Sequence, residues 1–506
     1  MNFTSIFFTG ILSAFVFVSV HAQQDTNNFD ITIKNTRDAY SFTDGIDGMA
    51  YLLSSNKQYQ IMLLNSPAEQ QIKSTYIKTT SEKKDEVLGA CLDQRYVTFF
   101  FSNPKSRSFS YLKTDRRNGE NTYKTFMLRE KNEHVFEAFE MNNVFYILTV
   151  EEYKNEINLI SVSDGGEKID KEKYLLEMNS FYAMVSKRTS RATESKVDIH
   201  YVDYNKVNTI RGTYRRNKLY TYDNKIFMTF DEPGMTHLVT IDPIEKSAAY
   251  KKLNFSLERG NNSPQKQGNS FLYYKTLFRV SMSPDQLNLS ALNLDSMYLV
   301  NSFNVFPEGE IDIANTPLLM EGSSSGSSGD ETVLKKSTQF FKKALTGEIA
   351  VAVNPQDSGY YNVQLGSYEE FVQYRGGYSG GWGAPGISFG MGMGMGMGGF
   401  YSPMYMPGYM GMAPYRYPAF GPSYYPSSSV TKTRTVYFKS LLDSESLTHQ
   451  QGNVAKTGIE RMNDYFEGKF RNYSPELVTT VTYGDKMILG YLIKRTNKYQ
   501  LVEFKK

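Results

Sequence analysis

Residues with chemistry to offer are few in this chain, and they are unevenly placed. The densest run is Met391-Gly392-Met393-Gly394-Met395-Gly396-Met397, continued by Met404, Met406, Met410 and Met412. Soft thioethers on a flexible backbone are the donors expected for Cu(I) where no thiolate is at hand. One expectation is therefore a metal role for Met391, Met393, Met395, Met397, Met404 and Met406. The competing expectation is an adaptable contact loop. Methionine fits itself to irregular partners, and Trp382, Tyr401, Tyr405, Tyr409, Tyr415 and Tyr417 lie in the same stretch, offering large contact area with little side-chain entropy to lose. Partner contact is preferred over copper, and no resident cofactor is expected.

Catalytic constellations are scarce, and no catalytic residue is assigned. His134, His200, His237 and His449 show no H-E-x-x-H spacing, and His200 and His237 fall in predicted strands, where packed or surface roles suffice. Cys91 is the single cysteine, which excludes an intrachain disulfide and a cysteine-rich zinc site. No local nucleophile signature surrounds it, and neither G-x-S-x-G nor a phosphate-cradling loop occurs. Thr43-Asp44-Gly45-Ile46-Asp47-Gly48 has the residue types for weak Ca²⁺ binding without the EF-hand pattern, and a Gly/Asp turn accounts for it equally. Paired carboxylates for glycoside chemistry need distances that only a structure supplies. Among 506 residues, 56 are basic and 53 acidic, a net charge of +3 that gives no field for nucleic acid. Lys187-Arg188 with Arg191, and Arg215-Arg216, read as solvated loops.

The elements that would position these groups follow from composition. Residues 376–429 hold 15 of the 38 Gly, 8 of the 22 Met, 7 of the 17 Pro and the only Trp, with Arg416 their only charge. Gly and Pro deny this tract both helix and ladder, so it reads as a long low-complexity loop, functional or disordered. At the other end, Ile6 to Val20 is apolar and uncharged, and Val20-His21-Ala22 suits leader cleavage before Gln23. A run of about 15 residues is short of the ~20 that span a bilayer as a helix, so residues 1–22 are expected to be a signal peptide.

Between Asp30 and Met320 a unit recurs every 40 to 50 residues. Tyr96 to Phe101, Ile226 to Phe230 and Leu277 to Val280 are each followed by a proline, a β-rich stretch and an aspartate: Asp115, Asp242 and Asp295. Met49–Leu53 with Tyr59–Leu64, and Val144–Val150 with Ile157–Val162, repeat the shape without proline, and Phe181–Val185 with Val197–Val202 is a weaker copy. Hairpins at this period resemble β-propeller architecture, with six blades counted and flanking strands available for a seventh. A pair of β-sandwiches with coincidental spacing is the alternative. Phe29 to Ile33 is expected to close the ring beside Ile311 to Ile313.

The expected fold is thus mainly β: a propeller-like domain over 23–321, a Gly/Ser linker over 322–330, and a smaller α+β domain over 331–506 interrupted by the tract. In that domain, a helix from an Asp330 cap to about Thr346 would bury Val333, Leu334, Phe341 and Leu345. A second helix would bury Ala455, Ile459, Met462, Phe466 and Phe470. The leader, the Gln after its cleavage point and the Tyr/Asn/Lys-rich strands resemble exported envelope proteins of Gram-negative Bacteroidetes. That resemblance implies a periplasmic, outer-membrane-associated or extracellular chain with a protein or envelope-polymer partner and no transmembrane helix. The functional expectation is a non-enzymatic binding or scaffolding protein; the alternative is a propeller hydrolase or lyase acting on extracellular carbohydrate.

Overall fold

The computed structural model describes residues 25–44, 48–66, 69–77, 85–178, 181–187, 196–197, 199–255, 257, 267–322, 331–356, 359–374, 429–469 and 475–505. Residues 1–24, which include the expected leader, residues 323–330, the tract up to residue 428, and with it every methionine and aromatic singled out there, lie outside the described residues.

Among the described residues the chain forms seven sheets of four or five strands and one two-stranded pair. Sheet I holds Asp38–Thr43, Met49–Ser54, Gln58–Ser66 and Glu69–Ile77. Sheet II holds Glu86–Leu92, Tyr96–Asn103, Ser108–Asp115 and Asn121–Leu128, and sheet III holds Glu133–Met141, Val144–Glu151, Glu156–Ser163 and Lys168–Leu175. Sheet IV adds a short parallel strand, His200–Val202, beside Asn217–Tyr222, followed by Lys225–Glu232, Met235–Asp242 and Ser247–Asn254. Sheet V holds Gln267–Tyr273, Thr276–Met282, Leu287–Asn293 and Leu299–Val305. Sheet VI runs in the order Glu348–Gln356, Tyr360–Tyr374, Ser429–Asp443, Leu318–Glu321, Thr332–Leu334. Sheet VII holds Glu476–Tyr483, Lys486–Ile493 and Lys498–Lys505, and its fourth strand is Asp25–Asp30 from the opposite end of the chain.

The near-continuous apolar runs have a direct cause: each sheet is buried on both faces, so alternate residues of one strand serve two neighbouring seams. Tyr51 and Leu53 pack toward sheet VII, whereas Ala50 and Leu52 pack toward sheet II. Phe99 and Phe101 join the I–II core, and Phe100 between them joins the II–III core, stacked on Phe145 with ring centroids 4.0 Å apart. Further cores bind III to IV and tie IV, V and VI together. The repeated aspartate is a turn residue: Asp115 and Asp242 accept backbone N–H bonds from the residues after them, while Arg95, Lys225 and Lys275 pair with Asp115, Asp242 and Asp295. The architecture is a β-propeller-like ring.

The N-terminal strand completes the last sheet as expected, but beside a different partner. Phe29 faces Tyr499 in an antiparallel pair, and Ile311 and Ile313 lie in no strand. Only long-range pairing decides this, since both candidate partners are short apolar segments. Phe181–Val185 is a helix, α1, because Phe181, Tyr182 and Val185 fall on one side and fill the III–IV seam. A separate α+β domain is not confirmed: Ile349, Val351 and Val363 of sheet VI share a core with Phe271 and Val280 of sheet V, and sheet VII packs on sheet I. The helices read as its signature are fillers. The turn α2 (Ile210–Thr213) covers the second face of sheet VI through Ala350, Tyr368 and Tyr437. The helix α3 (Ser337–Ala344) buries Phe340 and Phe341, while Val333 stands 55% exposed in a strand before it. The helix α4 (Gly458–Lys469) covers the second face of sheet VII through Met462 and Phe466. Where sheets VI and VII would meet, α2 and α4 intervene.

Candidate functional site

The first strands of neighbouring sheets run the same way. The Gln267 side chain at the start of sheet V's first strand bonds Gly347 O at 2.8 Å and Ile349 N at 2.7 Å, at the start of sheet VI's. Antiparallel alternation then sends the turn after each first strand to one end of the ring, here called the mouth. Asn142 and Asn224, from those turns in sheets III and IV, are hydrogen-bonded there.

Carboxylates of four successive sheets converge on the mouth. Asp44, Asp93 and Asp203 each follow the last residue of a first strand, and Glu140 is next to last in its own. Burial pushes the Glu140 carboxyl up, the nearby charges of Asp44 and Asp203 push it further, and an N–H bond from Asn143 at 2.6 Å opposes them. Below it, Cys91 lines a crevice of about 170 Å³ with Asp93, Asn143 and Asp164. Burial, Glu140 and Asp93 raise its thiol far above the ordinary range, which disfavours the thiolate.

The other half of the mouth is aromatic. Tyr274 lies 5.3 Å from Tyr204, 5.0 Å from Tyr222 and 4.7 Å from Tyr273 between ring centroids, and Tyr273 lies 5.2 Å from Tyr361. Tyr204 is fixed by donating to Leu272 O at 2.8 Å, and Tyr201 by a 3.0 Å bond with Thr221. Tyr274 remains 43% exposed. The segment 203–216 leaves this mouth from sheet IV and crosses the ring axis to the far face of sheet VI. There Asn208 and Asn354 exchange two 2.7 Å bonds, and Tyr214 stacks on Tyr368 at 4.6 Å.

A second concentration of charge lies in the IV–V seam. Asp231 accepts bonds from Thr236 at 2.7 Å, Ser270 N at 2.7 Å and Arg279 at 2.9 Å, and the Lys218 ammonium stands 3.6 Å away. Burial pushes Lys218 down to about 8, against the pull of Asp231. Every group here has a protein partner and none is exposed, so this cluster is structural.

Of the residues read from sequence, the histidines are not brought together. His134 bonds Glu152 at 2.8 Å, His237 bonds Tyr250 at 2.7 Å and His449 bonds Asn315 at 3.0 Å, while His200 opens the short parallel strand of sheet IV. Among the described residues no group of three His, Cys, Asp or Glu is placed to hold a metal ion. Asp44 ends at the mouth, though residues 45–47 of its Gly/Asp stretch lie outside the description. The mouth residues Glu140, Asp203, Tyr204, Tyr222, Tyr273 and Tyr274 escaped sequence reasoning. For Glu140, Tyr222, Tyr273 and Tyr274 the usable signal was a position just before or within a two-residue turn, whereas Asp203 and Tyr204 open the long segment 203–216 and carried none.

No protein-family model and no curated protein matches the chain. Solved structures do match. The Dos1 propeller is 10% identical over 64% of this chain and 64% of its own, with a TM-score of 0.29. The C-terminal WD40 domain of Sif2 is 7% identical over 96% and 99%, with a TM-score of 0.33. A protein from Lactobacillus plantarum is 11% identical over 65% and 81%, with a TM-score of 0.28. The chain spans 64% of the length of the Dos1 propeller. At these scores the ring rests on its own strand pairing. No helix among the described residues is long and apolar enough to cross a membrane.

Proposed function

We propose that the protein is an exported, non-enzymatic binding scaffold of the cell envelope or cell surface. It holds a protein or envelope-polymer partner at the mouth of its ring and through the Gly/Met/Tyr loop. A propeller fold suggests an interaction scaffold only at a general level, because folds host many activities. The observation that carries the reading is the mouth: the exposed ring of Tyr274 among packed tyrosines, together with a half-buried carboxylate that burial and two further acids push up. Such a surface is costly to leave unpartnered and suits recognition. The loop would make a second contact away from the mouth, since it joins Tyr374 to Ser429 at the end of sheet VI where the first strands begin. The test is affinity purification from native envelopes with the full chain and with residues 376–428 removed. Loss of partners on removal is expected; the same partners from both would take the loop out of the contact.

One observation favours a second reading. A carboxyl raised by burial beside other acids is what a general acid for glycoside cleavage requires. Release of reducing ends from envelope polysaccharide, abolished in Glu140→Gln, would establish that activity and displace the scaffold reading.

A further inference from the structure

The mouth has a chemical preference of its own. Its aromatic half leaves the Tyr274 ring 43% exposed, and an aromatic ring attracts cations through its negative quadrupole. Its other half offers Glu140, on which Asp44 and Asp203 act as like charges. The neighbouring cations are already engaged: Lys206 with Asp203 at 3.4 Å, Lys275 with Asp295 at 2.8 Å, and buried Arg116 with Asp93 O at 2.7 Å. The backbone adds a separate indication. In the turn after the first strand, sheets III and IV place Asn142-Asn143 and Asp223-Asn224 at positive φ, residue types that accept it, whereas sheet V places Tyr274 there at φ 49°. A bulky aromatic in the left-handed region is strained, and here the strain holds its ring beside Tyr204 and Tyr222.

We propose that the mouth receives an extended arginine- or lysine-bearing segment of a partner protein, one cationic head on the Tyr274 shelf and another at Glu140. A segment is required because the two features belong to different sheets, III and V, with Tyr201, Asp203 and Tyr204 of the region around sheet IV between them. Linked cations then gain from effective concentration, where a single ammonium ion would not. This inference rests on the reading of the mouth as a binding surface and narrows it to one ligand chemistry.

The probe is a capped hexa-arginine peptide, titrated calorimetrically into the full chain at low salt, with hexa-glutamate as control. One peptide per chain is expected, with no binding of hexa-glutamate. Tyr274→Asn and Glu140→Gln should each weaken binding about tenfold. Asn adopts the left-handed turn without strain, so Tyr274→Asn should melt within about 3 °C of the parent, separating lost binding from lost folding. Tyr153→Asn, at another exposed positive-φ tyrosine on the opposite end of the ring, should leave binding unchanged. No binding by the parent chain, equal binding by Tyr274→Asn and Glu140→Gln, or equal loss in Tyr153→Asn would each overturn the inference. Envelope partners captured equally by Tyr274→Asn and the parent would retain the scaffold reading and remove this ligand class. Peptide binding without any captured partner would do the reverse.

Discussion

Asp231 and Glu140 belong to the same ring and meet opposite electrostatic fates. Asp231 is sealed in the IV–V seam with two cations, two hydroxyls and a backbone N–H around it. Glu140, at the mouth, receives one backbone N–H and feels two further acids. A buried carboxylate survives only when its charge is answered inside the protein. A half-buried one left among like charges raises its own pKa and keeps its attraction for whatever arrives from outside. The seam shows that this chain can satisfy a carboxylate when it has to, and the proposed binding role of the mouth rests on that contrast.

The largest effect expected from this contrast is on Asp231. Asp231→Ala strands Lys218 and Arg279 without their counter-charge and should cost about 3–5 kcal/mol in urea unfolding, or prevent folding. Little change would mean that the seam charges are hydrated and the contrast is false. Next comes alkaline stability. Burial raises the hydroxyls of Tyr51, Tyr59, Tyr220 and Tyr499 far above the usual tyrosine value of 10. A group raised in the folded state contributes stability that is whole below its unfolded pKa and is lost above it, so the melting temperature should fall steeply once pH exceeds 10. Tyrosinate absorbance from these rings should appear only together with unfolding.

The smallest stability effect belongs to Glu140. Its carboxyl is raised, so its stabilising contribution is present below the ordinary carboxylate range and is lost as pH rises through the folded value. Glu140→Gln should therefore gain up to about 1 kcal/mol at pH 7 and nothing at pH 4, read from melts at both values. A loss at pH 7 would make Glu140 structural, as Asp231 is.

Much of the ring was legible in the sequence because its cause is local. Double-sided burial writes continuous apolar strands such as Phe99-Phe100-Phe101, and the turns need Asp115 and Asp242 at fixed offsets. The partner of the closing N-terminal strand was not legible: Gln500 and Asn27 are bonded 473 residues apart, and no local pattern carries that information. The C-terminal helices are shorter than their amphipathic spacing suggests, leaving Val333 and Leu334 in a strand and Ala455 exposed outside the helix, and Met462 and Phe466 fill a seam of the ring, a role that periodicity alone does not distinguish from a second domain. The mouth was hidden for another reason. Tyr273-Tyr274-Lys275 and Glu140 are ordinary residues until the common direction of the first strands brings their turns to one end.

Amide hydrogen exchange of the full chain, with and without saturating hexa-arginine peptide, tests the mouth most directly. The mouth as binding site predicts slowed exchange at residues 142–143, 203–206 and 274–275, and none at turns 104–107 and 152–155 on the opposite end. Protection confined to that opposite end, or no protection at all, would contradict it.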